Sequence, residues 1–280
     1  MVSFGNIQFL RLTFILLFFT ILGCKLFSAN QYWDTHNDSA GASSNDSTAT
    51  GNWADSNWNS NSDGSGSNGT WTNGNTAIFS AGSDATDSST ITANLNSATL
   101  VGLTVEEGDI TIASDGGSGS LTLSGTTADF SVADGSTLTI TEPLLYGSST
   151  LNKTGKGLLT IGAGVGGATT INQGKIDIAS GLDLSSGVFT GTSVAGTAKS
   201  VIGGLGTVDS VTIGSDNGEI DFISPGLGYS TSLSNASSLK QNPSGRTSGA
   251  VGKFTTDTLN WNGGGVYDWE MQDFDGTTGG

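Results

Sequence analysis

The single histidine, His36, and the single cysteine, Cys24, limit the chemistry open to this chain. Zinc sites draw on several nitrogen and sulfur ligands, and one ring and one thiol cannot assemble such a set. A Ser-His-Asp or Cys-His system would depend on the same ring, and His36, between Thr35 and Asn37, reads as a loop histidine. Carboxylates are plentiful but poorly spaced. Glu106 and Glu107 are adjacent, so on a strand they point to opposite faces and read as a solvated strand end. Asp177 and Asp183 stand among apolar pairs and could share a surface, whereas glycoside hydrolysis needs two carboxyl groups about 5–9.5 Å apart in a cleft. The run Asn59-x-Asn61-x-Asp63-Gly64 has the spacing that opens a calcium loop. It lacks Asp at the first place and has Thr70 where the bidentate Glu belongs. No glycine-rich segment precedes a helix with the Lys-Ser/Thr ending of a phosphate loop. No catalytic, metal-binding or cofactor-binding residue is expected, and the chain reads as a non-enzyme.

The elements that would carry such residues follow an export segment. Arg11 supplies a small positive region, and Leu12 to Leu22 (LTFILLFFTIL) is an unbroken apolar run. That is shorter than the ~20 residues of a membrane span and suits a secretory signal. Phe27-Ser28-Ala29 predicts cleavage after residue 29, whereas Leu22-Gly23-Cys24 reads as a loose lipobox that would place a lipid on Cys24. Removing residues 1–29 takes Arg11 and Lys25 and moves the formal charge from −16 to −18. The remaining bases are Lys153, Lys156, Lys175, Lys199, Lys240, Arg246 and Lys253, too scattered to neutralise phosphates. Nucleic acids and anionic membrane surfaces are thereby excluded as partners. One cysteine gives no internal disulfide, so core packing and ladder hydrogen bonds must hold the fold. The negative charge favours solubility and weak attraction of cations.

Residues 30–89 are rich in Asn, Asp, Ser and Gly but carry Tyr32, Trp33, Trp53, Trp58, Trp71 and Phe79. So many rings predict a loop-rich cap over the end of a sheet, where unpaired backbone groups would otherwise be open to another chain. Residues 90–223 change to short alternating strands. Leu103/Val105, Ile110/Ile112, Leu121/Leu123, Phe130/Val132, Leu138/Ile140, Leu159/Ile161, Ile176/Ile178, Leu182/Leu184 and Val211/Ile213 each put both members on one face. Asp115-Gly116, Asp134-Gly135, Gly147-Ser148, Gly166-Gly167 and Asn217-Gly218 mark turns, and no 3.6-residue apolar stripe appears. Leu103, Leu121, Leu138, Leu159 and Ile176 follow one another at 18, 17, 21 and 17 residues. That rhythm, with no two-residue hairpin signals, predicts an all-β solenoid; the alternative is an antiparallel β-sandwich. Residues 224–248 read as a loop, and 249–280 as further strands ending in mid-pattern, as expected of a truncated product.

The segment Leu151-Asn152-Lys153-Thr154-Gly155-Lys156-Gly157-Leu158-Leu159-Thr160-Ile161, followed by Ala168-Thr169-Thr170-Ile171-Asn172-Gln173-Gly174-Lys175-Ile176, resembles the autotransporter-associated β-strand repeat. That family runs leucine, any residue, Lys-Thr-Gly, any residue, Gly, then alternating apolar residues and Thr, a glycine-rich loop and a second strand. One copy stands here, at residues 151–176. Tyr32 to Thr35, Trp71 to Gly82, Gly102 to Gly108, Val208 to Gly226 and Trp261 to Trp269 are similar to the family's flanking stretches. The resemblance implies a right-handed parallel β-helix, exported to the cell surface, outer membrane or medium. Members commonly end in an outer-membrane β-barrel or a sorting tail, so attachment would come from a further C-terminal element or a lipid on Cys24. Lys153 and Lys156 are expected on a turn in solvent. The implied work is that of a scaffold in adhesion or contact with the cell envelope, glycans or a host matrix. The competing expectation is a carbohydrate-active β-helix, a polysaccharide lyase or hydrolase. Such enzymes need clustered Asp with Lys or Arg, and Arg246 is the only arginine after residue 29.

Overall fold

The computed structural model describes residues 28–37, 39–43, 48–93, 97–114, 116–192, 200–214, 221–225, 254–263 and 265–267. The apolar run, Cys24, Asp115, Asn217, Arg246, most of 224–248 and the final residues to 280 lie outside them. Among the described residues there are strands and turns and no helix. In chain order the strands are β1 (Asn30–Trp33), β2 (Gly51–Asn52), β3 (Trp58–Asn59), β4 (Asn75–Phe79), β5 (Ser88–Ala93), β6 (Ala98–Val105) and β7 (Asp109–Ser114). Next come β8 (Leu121–Leu123), β9 (Thr127–Val132), β10 (Thr137–Ile140), β11 (Leu144–Leu145), β12 (Thr150–Thr154), β13 (Leu158–Ile161) and β14 (Ala168–Ile171). The last are β15 (Gly174–Ile178), β16 (Asp183–Gly191), β17 (Ser200–Gly204), β18 (Thr207–Ile213), β19 (Asp221–Pro225), β20 (Thr255–Trp261) and β21 (Gly265–Tyr267).

They form two long sheets. The first runs β20-β18-β16-β14-β12-β9-β6-β4-β1-β3, with β8 and β11 attached beside β6. The second runs β2-β5-β7-β10-β13-β15-β17-β19-β21. From β12 onward the chain lays one strand on the first sheet, the next on the second, and returns. Each strand then pairs parallel with its counterpart one circuit earlier, as β13 does with β10 and β14 with β12. Parallel neighbours need a crossover rather than a tight turn, and here the crossover is the strand on the opposite sheet. Among the described residues only β3, against β1, pairs antiparallel as a strand. Hairpin-linked neighbours, the mark of the sandwich alternative, are not what builds these sheets.

The alternating pairs point into the space between the walls, except that Leu182, in the turn before β16, is only half-buried against it. Ile110, Leu138, Leu159, Ile176, Ile202 and Ile223 stack in register on the second sheet and are buried. On the first sheet the matching column is Ala77, Leu103, Phe130, Lys153, Ile171. The rhythm read from the sequence mixed columns. Leu138, Leu159 and Ile176 are true neighbours, but Leu103 lies on the first sheet and Leu121 on β8. Circuits vary in length: Leu103, Phe130, Lys153 and Ile171 are 27, 23 and 18 residues apart. The corners absorb the difference at small entropic cost.

Two glycines of the repeat-like segment close these corners. Gly155 has φ +69°, and a Cβ there would collide with Val132 O. Gly174 has φ +74°, and its Cβ would stand 2.5 Å from Gly155 O and 2.6 Å from Gly157 O. Gly155→Ala is expected to cost about 1–3 kcal/mol, from left-handed strain plus the clash. Urea unfolding measures it; a loss below about 0.5 kcal/mol would show that this corner tolerates a side chain.

Candidate functional site

The carboxylates considered for catalysis are kept apart. Asp177 lies on β15 of the second sheet, fully buried, with Lys175 Nζ 2.8 Å from its Oδ1. Asp183 opens β16 on the first sheet and is exposed. The turn after Ile178, with Gly181 at φ +76°, carries the chain from one wall to the other, so the two do not share a surface. Glu106 and Glu107 follow the end of β6. Glu106 is exposed, and its carboxyl is raised above the usual range, first by partial burial and then by the neighbouring charge of Glu107. Glu107 instead ties two circuits together: its Oε1 accepts from Ser80 Oγ at 2.9 Å and Ala85 N at 3.1 Å. His36 is half-buried, and its backbone N–H donates to Asp34 Oδ1 at 2.7 Å. In the Asn59 run, Asn61 N donates to Asn59 Oδ1 and Asp63 Oδ1 accepts from Ser65 N and Oγ, so these two Oδ1 atoms each close a local turn.

Lys153 corrects the sequence reading. It is not on a turn in solvent but fully buried, in the inward column between Phe130 and Ile171. Its Nζ donates to Thr154 O at 2.7 Å, Gly155 O at 2.8 Å and Gln173 O at 3.3 Å. An ammonium has three donors and no acceptor, so three carbonyls match it. Burial pushes its pKa down from 10.5 to about 7. Lys156 is the surface residue of the pair, half-exposed and 3.9 Å from Asp134.

Outside the walls, polar residues stack in register. On the second sheet Thr90, Thr111, Thr139 and Thr160 form one column. On the first, Asp129, Asn152, Thr170, Thr190, Thr212 and Asn260 form another. A second ladder runs beside it: Asn152 Nδ2 donates to Asp129 Oδ1 at 2.7 Å, Asn172 Nδ2 to Asn152 Oδ1 at 2.9 Å, and Thr192 Oγ1 to Asn172 Oδ1. Strand spacing repeats these groups every ~4.7–4.9 Å. Each column is half-buried to exposed along its length. The arrangement offers donors and acceptors over an extended face instead of gathering them at one point.

The rings of β1, β3 and β4 meet those of two connecting loops. Trp33, Trp53, Trp58, Trp71 and Phe79 form one cluster, with centroids 4.7 Å apart for Trp53–Trp58 and for Trp58–Trp71. They lie where β1 and β3 finish the first sheet. No family model, curated protein or solved structure matches the chain.

Proposed function

We propose that this chain is an exported scaffold, a right-handed parallel β-helix whose outer walls contact glycans or a matrix at the cell surface, in the outer membrane or in the medium. The observation that carries the reading is the in-register stack of Thr, Asn and Asp side chains on both walls. Such a face suits many weak, repeated polar contacts along a chain-like partner. Right-handedness follows from the general preference of parallel crossover connections. Gly155 and Gly174, two of the motif glycines of the autotransporter-associated repeat, both need conformations that a side chain would resist, which agrees with that resemblance. The aromatic cluster serves as the amino-terminal cap, and attachment comes through a lipid on Cys24 or a further carboxy-terminal element.

Purified residues 30–280, tested against arrayed glycans and matrix proteins, are expected to bind at least one extended, repetitive ligand. The pair Thr170→Arg, Thr190→Arg, on the first wall, should weaken that binding about tenfold or more, because two bulky cations interrupt one column. Shortening of any polysaccharide by the purified protein, abolished by Asp177→Ala, would replace the scaffold reading with an enzyme.

A further inference from the structure

One point between the first strands is ringed by oxygen. Asn59 Nδ2 stands 3.0 Å from Asp34 Oδ2, 3.1 Å from Gly64 O, 2.6 Å from Gly66 O and 2.9 Å from Asn68 Oδ1. A primary amide nitrogen has two hydrogens, so four oxygens compete for two protons. Exchanging the two ends of the amide would not help. It would set an oxygen against the other four and lose the bond that Asn59 Oδ1 accepts from Asn61 N at 2.9 Å.

The charge at this point is equally unbalanced. Asp34 is fully buried. Its Oδ1 accepts from the backbone N–H groups of His36 and Asn37, at 2.7 and 3.2 Å, while Oδ2 faces the ring. The ion pairs among the described residues are Lys156–Asp134 and Lys175–Asp177, and neither involves Asp34. A buried carboxylate without a cation is costly.

The backbone is shaped to present the ring. A Cβ at Gly66 would lie 2.7 Å from Asn59 Oδ1, and one at Gly64, where φ is +78°, 2.5 Å from Gly41 O. One carboxylate, one amide oxygen and two backbone carbonyls form an all-oxygen set, which suits a hard cation with flexible geometry.

We propose that Asp34 Oδ2, Gly64 O, Gly66 O and Asn68 Oδ1 are ligands of a calcium-class divalent cation. Water completes the shell, and the Asn59 amide yields the position it holds when no ion is bound. Calcium–oxygen distances of about 2.3–2.6 Å mean that the ring contracts on binding. The ion then ties the loop after β1 to the loop after β3, next to Trp33 and Trp58. With a single charged ligand the affinity belongs to the weak, extracellular class, with Kd on the order of 10⁻⁴–10⁻³ M.

Terbium(III), a calcium substitute that emits when a nearby tryptophan is excited, is the probe. Wild-type protein is expected to give sensitised emission that calcium displaces, and calcium should raise the unfolding midpoint. Asn68→Ala, at the half-exposed rim, should reduce terbium emission and calcium affinity about tenfold or more while the far-ultraviolet spectrum stays unchanged. Asn59→Asp separates an ion site from a plain hydrogen-bonded knot. A second carboxylate should tighten calcium binding and make stability depend strongly on calcium, whereas in a knot it only adds repulsion to Asp34. Absence of sensitised emission in the wild type overturns the proposal. So does emission unchanged in Asn68→Ala, or an Asn59→Asp variant whose stability ignores calcium.

Discussion

Stability should climb as the pH rises from about 7 towards 10, and Lys153→Met should flatten the climb. In the unfolded chain Lys153 keeps its proton up to about 10.5, while burial lowers its folded pKa to about 7. Between those values the unfolded state holds a proton that the folded state lacks, so unfolding becomes harder with rising pH. Below about 7 both states are protonated, and the cost of enclosing an ammonium is carried in full. A shift of this size corresponds to roughly 4–5 kcal/mol across the window. The three carbonyls favour the ammonium, but with Phe130 and Ile171 on either side burial outweighs them. Above pH 10 a second group reverses the trend. Burial raises Tyr146 to about 12, against a weaker opposing effect of the Thr169 hydrogen bond, so the unfolded state loses its phenolic proton first and stability falls. Urea unfolding from pH 6 to 11 should therefore peak near pH 10. Methionine keeps the volume and removes the titration; its own cost, three carbonyls left without their donor, is independent of pH. A wild-type profile that is flat from pH 7 to 10, or a slope that persists in Lys153→Met, would remove Lys153 as its source.

That lysine also shows how far the residues could be read in advance. The all-β character was legible because Leu159/Ile161 and Ile176/Ile178 alternate with Thr and Asp, and period two has one structural meaning. The same period, counted from Leu151, puts position 153 on the inward side. The signal was present and was overridden by residue type, since a lysine beside Thr-Gly looks like a turn. Asp177 is the reverse case: its outward register, beside Thr160, was readable, but its burial against Lys175 was not. Column membership was hidden too, because corner lengths differ from circuit to circuit and spacing alone cannot align Leu103 with Phe130. The run from Asn59 to Gly64 gave a local trace of the ring around Asn59 through its calcium-loop spacing, but not the ligand set. Asp34 is 25 residues away in sequence, two of the four oxygens belong to backbone carbonyls of glycines, and only the folded loops bring them together.

Trp58→Ala should be the most damaging single replacement at the amino-terminal end, costing about 3–5 kcal/mol. The indole is 1% exposed and meets four other rings, with centroids 4.7 Å from Trp53 and Trp71, 5.1 Å from Trp33 and 5.7 Å from Phe79. Edge-to-face and tilted pairs of this kind contribute beyond the area they bury. Its Nε1 donates to Trp53 O at 2.9 Å, so truncation also strands a carbonyl. Trp261 gives the comparison. It sits on β20 in register with Ile213, but is 47% exposed, so Trp261→Ala should cost less than about 1 kcal/mol. Denaturant unfolding of the two variants tests the contrast, and near-equal losses would show that the cluster is not what holds this end. The stakes exceed local packing. β3 runs antiparallel to β1, with Trp33 facing Trp58, and it occupies the edge where the first sheet would otherwise offer unpaired N–H and C=O groups. A parallel sheet with that edge bared can add strands from another molecule. Trp58→Ala should therefore associate at concentrations where the wild type does not, which light scattering would register as growth in particle size. Growth in Trp58→Ala but not in Trp261→Ala would tie the effect to the edge behind β3.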